Sequence, residues 1–330
     1  HLYGTLVKHD ITMGSLLKCP TISEFKQWIL STFNQNSIPS FVLQHKIDGL
    51  SLSLLYKDGK LVRALTRGDG SEGVDVTPNA IHVSGIPSTI ADCSEVEIRG
   101  EVYKNRQDFY KNWHLSVGGE YKNPRNFSSG SLNQKESLVT KSRGLDFISY
   151  QVCRKEFAYE TDKLSYLKSQ GFNVVDVTVL PQGVNIEALV QIVEQYMNAI
   201  DRGALPYDID GVCVKMNNVK EAEKMGTVSN GRKPKSARAV KFKSEAVQTK
   251  FIGVEVNVGR TGKVAPVAIL EPVELGGATI QRATLHNFGM LIGKDALKIG
   301  SIVEIQKRGD IIPQIVRTIT QGDTSINIPT

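Results

Sequence analysis

Phe41-Val42-Leu43-Gln44-His45-Lys46-Ile47-Asp48-Gly49-Leu50-Ser51-Leu52-Ser53-Leu54 is the stretch whose reading decides the fold. From Leu50 to Leu54 apolar and polar residues alternate with period two, the mark of a half-buried strand, and Asp58-Gly59 offers a tight hairpin turn before Leu61 to Leu65. Antiparallel strands follow from that, with further candidates at Val96 to Tyr103, Leu145 to Gln151 and Gly211 to Met216. Helical signals interrupt them. Thr21-Ile22-Ser23-Glu24 reads as a capping box with Phe25, Trp28, Ile29 and Phe33 at helical spacing behind it. A second helix lies within Thr161 to Gln170, and a longer one spans Ile186 to Ile200, closed by Gly203. The first twenty residues read as irregular. Residues 1–243 therefore form an α+β domain built on antiparallel sheet.

Beyond about Ser244 the helical signals nearly vanish. Short β-rich pieces recur at Phe251 to Val258, Val264 to Leu270, Ala278 to Thr284 and Ser301 to Gln306, with Gly259 to Gly262 and Gly276-Gly277 as turns. Residues 244–330 thus read as a small all-β barrel, and an OB-fold is the commonest nucleic-acid-binding barrel of that size.

A chain of 330 residues with 40% apolar and 22% charged residues has enough material for two compact domains and excludes wholesale disorder. No apolar run reaches the length of a membrane helix, and no secretory signal stands at the N-terminus. Cys19, Cys93, Cys153 and Cys213 stand singly, with no C-x-x-C pair, which fits a reduced compartment. The net charge of +6 suits a polyanionic partner without proving one. Arg232, Lys233, Lys235, Arg238, Lys241, Lys243 and Lys250, opposed only by Glu245, form either a solvated face or a phosphate-binding surface.

The chemistry centres on Lys46-Ile47-Asp48-Gly49. A lysine at a strand end beside a tight turn projects into a cleft, with Asp48 near enough to orient it; alone, such a tetrapeptide is common by chance. Further motifs follow it: Thr66-Arg67-Gly68-Asp69-Gly70 with Gly73-Val74-Asp75-Val76-Thr77, Arg99-Gly100-Glu101-Val102, Asn123-Pro124-Arg125-Asn126 with Gly130-Ser131-Leu132, and Asp208-Ile209-Asp210-Gly211-Val212-Cys213-Val214-Lys215 with Ala239-Val240-Lys241-Phe242. Val258-Gly259-Arg260-Thr261-Gly262, Arg282-Ala283-Thr284-Leu285-His286-Asn287 and Arg308-Gly309-Asp310-Ile311-Ile312-Pro313 continue the series through the barrel. In this order, over about residues 5 to 318, the sequence resembles the NAD-dependent DNA ligases of bacteria.

The resemblance implies an antiparallel-sheet nucleotidyltransferase domain of the ATP-grasp-like ligase type followed by the OB-fold, together closing as a clamp on nicked duplex DNA. It implies that Lys46 attacks the α-phosphate of NAD to form lysyl-AMP. AMP then passes to the 5′-phosphate at a nick, and the 3′-hydroxyl displaces it to seal the strand. To be nucleophilic Lys46 must lose its proton, and burial with the neighbouring Lys215 and Lys241 is expected to lower its pKa; the same cations, with Mg²⁺ assisting, neutralise phosphate charge. By the same resemblance Asp48 and Asp210 position the lysines, and Glu101 holds the ribose hydroxyls. Tyr150 stacks on adenine, with Cys213, Ile47, Ser15, Leu16 and Gln44 about it. Arg67, Arg125 and Arg202 meet phosphates, and Arg260, Thr261 and Arg308 meet DNA. A lone His286 without a second ligand is assigned no metal, and no protein side chain is.

Two positions depart from the family. Gln44 stands where a glutamate accepts from the adenine amino group, and Asn133 replaces an arginine after Gly-Ser-Leu. The family's domain that reads the nicotinamide mononucleotide half of NAD is expected before His1, and its zinc finger, helix-hairpin-helix array and C-terminal interaction domain after Thr330. Without the first of these the NAD step is expected to be impaired, as in a short viral enzyme or a trimmed chain. A monomer acting in the cytoplasm, at a bacterial nucleoid or in a virus-infected host, completes the expectation. The rivals are an ATP-using nucleotidyltransferase of the same superfamily and a non-catalytic DNA-clamping remnant.

Overall fold

The computed structural model describes residues 4–113, 121, 123–242, 246–258, 264–275, 278–285, 288–291, 296–308 and 312–325. The chain divides into two compact units, residues 1–242 and 243–330. In chain order the first unit carries β1 (Leu6–Lys8), β2 (Leu17–Cys19), β3 (Phe41–Ile47), β4 (Leu50–Lys57), β5 (Lys60–Thr66) and β6 (Glu72–Val74), then β7 (Val96–Tyr103), β8 (Asp146–Cys153), β9 (Val177–Leu180), β10 (Ile209–Met216), β11 (Thr227–Val228), β12 (Lys233–Pro234) and β13 (Ala237–Lys241). Two sheets organise it. One runs β2-β13-β10-β3-β9, antiparallel except where β13 meets β2; the other is the antiparallel β5-β4-β7-β8.

The hairpin read from the sequence forms as expected. Asp58 and Gly59 both take positive φ, 49° and 72°, the geometry of the two-residue turn whose twist matches the strands it joins. Thr21 caps the helix Ile22–Thr32 in a full capping box with Glu24, and Phe25, Trp28 and Ile29 are buried beneath it. The helices Glu160–Ser169 and Ile186–Ala199 also fall where periodicity puts them. Gly203 does not close the second of these. That helix ends at an extended Ile200, and Gly203 lies in the following turn, donating its N–H to Asp201 Oδ1 at 3.0 Å.

Within residues 4–20, two three-residue strands interrupt an otherwise irregular backbone. Three-residue strands are too short to show a period, and β1 and β2 exist because β6 and β13 offer them partners. The helix Pro124–Leu132 was also unexpected, although Asn123 at its cap and Pro124 at its first turn are ordinary start signals.

The second unit is a closed barrel in the order β14-β15-β16-β18-β17, formed by β14 (Ala246–Val258), β15 (Val264–Leu275), β16 (Ala278–Thr284), β17 (Ile302–Arg308) and β18 (Ile312–Thr320). Phe251, Ala268, Val303 and Ile305 fill its centre. A mixed α/β unit followed by a five-stranded barrel is the predicted fold class.

Candidate active site

β3 is an interior strand of its sheet, between β10 and β9, so Lys46 projects from a strand end and not from the edge of the sheet. Lys46 lies opposite Gly211 on β10, and Gly211 lies opposite Lys241 on β13, which sets two lysines in one row across three strands. Between Ile209 and Gly211 the register shifts, because β10 carries one extra residue there. That residue is Asp210, and a bulge of this kind re-aims a side chain that regular alternation would send elsewhere. Its carboxylate takes Lys46 Nζ at 3.0 Å and also pairs with Lys241 Nζ. Gly211 permits the row: a Cβ there would stand 2.2 Å from Val240 O.

The turn after Lys46 is equally constrained. Asp48 donates its N–H to Asp208 O at 2.8 Å, and at Gly49 a Cβ would stand 2.2 Å from Val102 O and 2.9 Å from Glu101 Cγ. The glycine of the tetrapeptide is thus what lets this turn lie against β7 and bring Glu101 near Lys46. The side chain of Asp48 meets Arg125. It is 5% exposed and accepts from Arg125 Nη1 at 2.7 Å, on the first turn of the helix Pro124–Leu132. Of the two aspartates expected to position the lysines, Asp210 pairs with Lys46 and Lys241.

β7 and β8 supply the facing wall. Glu101 is 7% exposed and accepts from Ser51 Oγ at 3.0 Å and Tyr150 Oη at 3.4 Å. Burial pushes its carboxyl up to about 7, against Ser51, Lys46 and Arg67, which favour the charged form. Burial likewise raises the Tyr150 phenol, so this ring is neutral, and Lys215 Nζ lies 5.7 Å from its centre. The two walls enclose a cleft of about 1010 Å³, also lined by Gln44, Ile47, Arg67, Arg125, Asn133, Cys213, Ser15 and Leu16. Ser15 is held by its N–H to Arg232 O at 3.0 Å.

The expected lowering of the Lys46 pKa is not found. Burial does press the ammonium toward neutrality, but Asp210 outweighs it and the pKa lies above the ordinary value. Lys241 is the one held below its ordinary value, by burial and by the charge of Lys46, with Asp210 opposing. Asp210 stays ionised despite burial because both lysines face it. At rest this is a charged triad, and Lys46 is protonated.

The basic run from Arg232 divides by contact. Lys241 enters the cleft, Arg232 donates to Asp69 O at 3.2 Å beside it, and Arg238 stacks 4.5 Å from the Trp28 ring. Arg202 does not line the cleft; its guanidinium stacks 4.6 Å from the ring of Phe242, next to Lys241. Sequence reasoning missed Lys18, Lys163 and Ser51, which line the cleft. Period-two spacing carries a signal for Ser51, two residues beyond Gly49, but none for the other two. Arg260, Thr261, His286 and Asn287 lie outside the described residues, as does the side chain of Arg308.

For Mg²⁺ the described residues offer no group of three or more His, Cys, Asp or Glu. The cleft carboxylates are already engaged, Asp210 by two lysines, Asp48 by Arg125 and Glu101 by Ser51. These residues do not build a metal cage.

Residues 5–245 match the NAD-dependent DNA ligase adenylation domain, and residues 248–325 match the NAD-dependent DNA ligase OB-fold domain. Among solved structures, one named Pmar-Lig_Pre superposes with a TM-score of 0.52 at 12% identity, over 94% of this chain and 68% of that one. That likeness is one of fold. A structure from the Lig E DNA ligases gives a TM-score of 0.46 at 13% identity, over 92% of this chain and 99% of that one. Among the described residues no helix is long and apolar enough to cross a membrane. With an adenylation domain followed by an OB-fold, the chain belongs to the NAD-dependent DNA ligase family.

Proposed function

We propose that Lys46 is the residue that carries AMP between NAD and a nick in duplex DNA. The observation that supports this most is the convergence of Lys46 and Lys241 on Asp210, across one cleft from Glu101 and Tyr150. In the first step Lys46 Nζ gives up its proton and forms an N–P bond to the α-phosphorus of NAD, while the pyrophosphate P–O bond breaks and nicotinamide mononucleotide leaves. In the second a 5′-phosphate oxygen attacks that phosphorus and the N–P bond breaks, returning the electron pair to Lys46. In the third the 3′-hydroxyl attacks the 5′-phosphorus and AMP departs.

Each residue has a task in this reading. Lys241 and Lys215 balance charge on the phosphate, and Glu101, as carboxylate, accepts from the ribose hydroxyls. Tyr150 stacks on adenine, with Ile47, Cys213, Ser15 and Leu16 about it. Arg67 and Arg125 bind phosphate oxygens, for which the guanidinium fork is suited. Arg125 gives one Nη1 donor to Asp48 and keeps its other N–H groups for phosphate. Arg202 and the barrel residues Arg260, Thr261 and Arg308 meet the DNA backbone. Mg²⁺ is assigned no protein ligand. The enzyme is read as bacterial in type, monomeric and free of membranes, acting where DNA is held in the cytoplasm.

Intact mass after incubation with NAD or with ATP tests the donor and the carrier together. A gain of one AMP from NAD, absent in Lys46→Ala, is expected; a gain from ATP alone would replace NAD as the donor. Sealing of a nick already capped with AMP isolates the last step, and a rate no higher than that of Lys215→Ala would reduce the chain to a DNA-clamping remnant.

A further inference from the structure

Gln44 stands two residues before Lys46 on β3, so strand alternation puts both side chains on one face, and both line the cleft. It is 2% exposed, and among the described residues its Nε2 has no hydrogen-bond partner. A buried donor left unmade costs free energy, and such groups are rare in folded proteins. The residue beside it across the sheet is Cys213, whose thiol is kept neutral because burial raises its pKa. Gln44 therefore offers an unmet hydrogen bond to whatever enters the cleft that it lines with Cys213 and Tyr150.

An amide differs from a carboxylate at this place. It donates and accepts side by side, and a half-turn of its last torsion exchanges the two, whereas a carboxylate only accepts. Adenine presents a donor, its 6-amino group, next to the acceptor N1. A 6-oxopurine presents the reverse, an acceptor O6 next to a donor N1–H. Gln44 satisfies either edge with two hydrogen bonds and fills its own vacancy in doing so. A carboxylate would meet O6 with like charge against like.

We infer that, with the unsatisfied amide of Gln44 at this place, the cleft admits a 6-oxopurine nucleotide as well as an adenine one. This rests on the AMP-carrier role of Lys46, which puts the base in the same cleft. Calorimetric titration of the full chain with AMP and with IMP tests it without requiring any covalent step. Wild type binds the two within about tenfold of each other, and Gln44→Glu keeps AMP while weakening IMP by a further ten- to hundredfold or so, the usual worth of an unmet buried polar group. Gln44→Met, of similar length and without polar atoms, weakens both nucleotides and leaves their ratio near one; it serves if Gln44→Glu does not fold. Nicks capped with AMP or IMP repeat the comparison during sealing. AMP binding with IMP about a hundredfold weaker in wild type overturns the inference and leaves the role of Lys46 standing. An AMP-to-IMP ratio unmoved by Gln44→Glu does the same. Failure of both nucleotides to bind wild type overturns the two readings together.

Discussion

The two walls of the cleft raise the pKa of their central residue in the same direction, with opposite results. On the β3 wall Lys46 is raised because Asp210 lies against it, which keeps the lysine charged. On the β7 wall Glu101 is raised because it is buried, which lets the carboxyl go neutral near pH 7. The first wall solves its electrostatics by pairing and the second by exclusion of water. A paired group answers to loss of its partner, while a desolvated one answers to pH. The resting cleft is therefore suited to receive a phosphate but not yet to attack it, since the nucleophile is still protonated and its charge is shared with Lys241 through one carboxylate.

Removing that carboxylate gives the largest expected effect. Asp210→Asn leaves two lysines facing each other, lets Lys241 repel Lys46 unopposed and frees both side chains to wander. Formation of lysyl-AMP is expected to fall by about 10²- to 10³-fold at pH 7.5, comparable to the loss of one oriented electrostatic partner in other active sites. The pH profile separates this from simple damage. In wild type the rate rises with pH through 7 to 9, as it must when the nucleophile's pKa is raised, and in Asp210→Asn the rise starts at lower pH. A loss below tenfold, or an unmoved profile, would mean that the bridge only braces β10.

Glu101 comes next and tests the other wall. With a native value of about 7 against an ordinary 4.5, the folded protein holds a proton that the unfolded chain has released, so stability falls as pH rises from about 4.5 to about 7 and is level above that. The cost of ionising it is about 3 kcal/mol for a shift of that size. Glu101→Gln keeps the shape and removes that cost, so at pH 8 the variant is expected to unfold at higher denaturant than wild type while binding AMP about tenfold more weakly. In wild type AMP affinity rises from pH 6 to 8 as the carboxylate forms, and the variant shows no such rise. Equal stability of the two proteins across pH 5 to 8 would show that Glu101 is not desolvated.

How much of this was legible beforehand follows the same division. β3, β4, β7 and β10 announced themselves through alternation and turn residues, because their partners are strong enough to impose a period. β1 and β2 carry three residues each and owe their existence to β6 and β13. Lys46, Lys215, Lys241 and Glu101 were found through ordered motifs, and all four line the cleft. The partners of those residues were harder. That Asp210 takes both lysines depends on a one-residue bulge, and that Asp48 takes Arg125 depends on a contact 77 residues apart, neither of which leaves a local pattern. The same gap explains why the Lys46 pKa was expected to be low: Asp210 was named as a positioning residue, but its direct ion pair with Lys46, which outweighs burial, leaves no mark in the sequence.

Arg125 and Arg202 give the smallest effects and divide the phosphate-binding arginines by place. Arg125 is 48% exposed, lines the cleft and pairs with Asp48, so Arg125→Ala should weaken AMP binding by about three- to tenfold. The variant loses part of that in water-screened attraction, since half the arginine is in solvent, and salt should shrink the difference between variant and wild type. Arg202 is not among the residues lining the cleft and rests on Phe242 beside Lys241. Arg202→Ala is thus expected to bind AMP within about twofold of wild type while binding a nicked duplex about threefold more weakly, with a shallower salt dependence, as loss of a single phosphate contact requires. If Arg202→Ala instead weakens AMP as much as Arg125→Ala does, the stacked position on Phe242 is not the one it keeps when nucleotide is bound, and the phosphate-binding face of the cleft extends past Lys241.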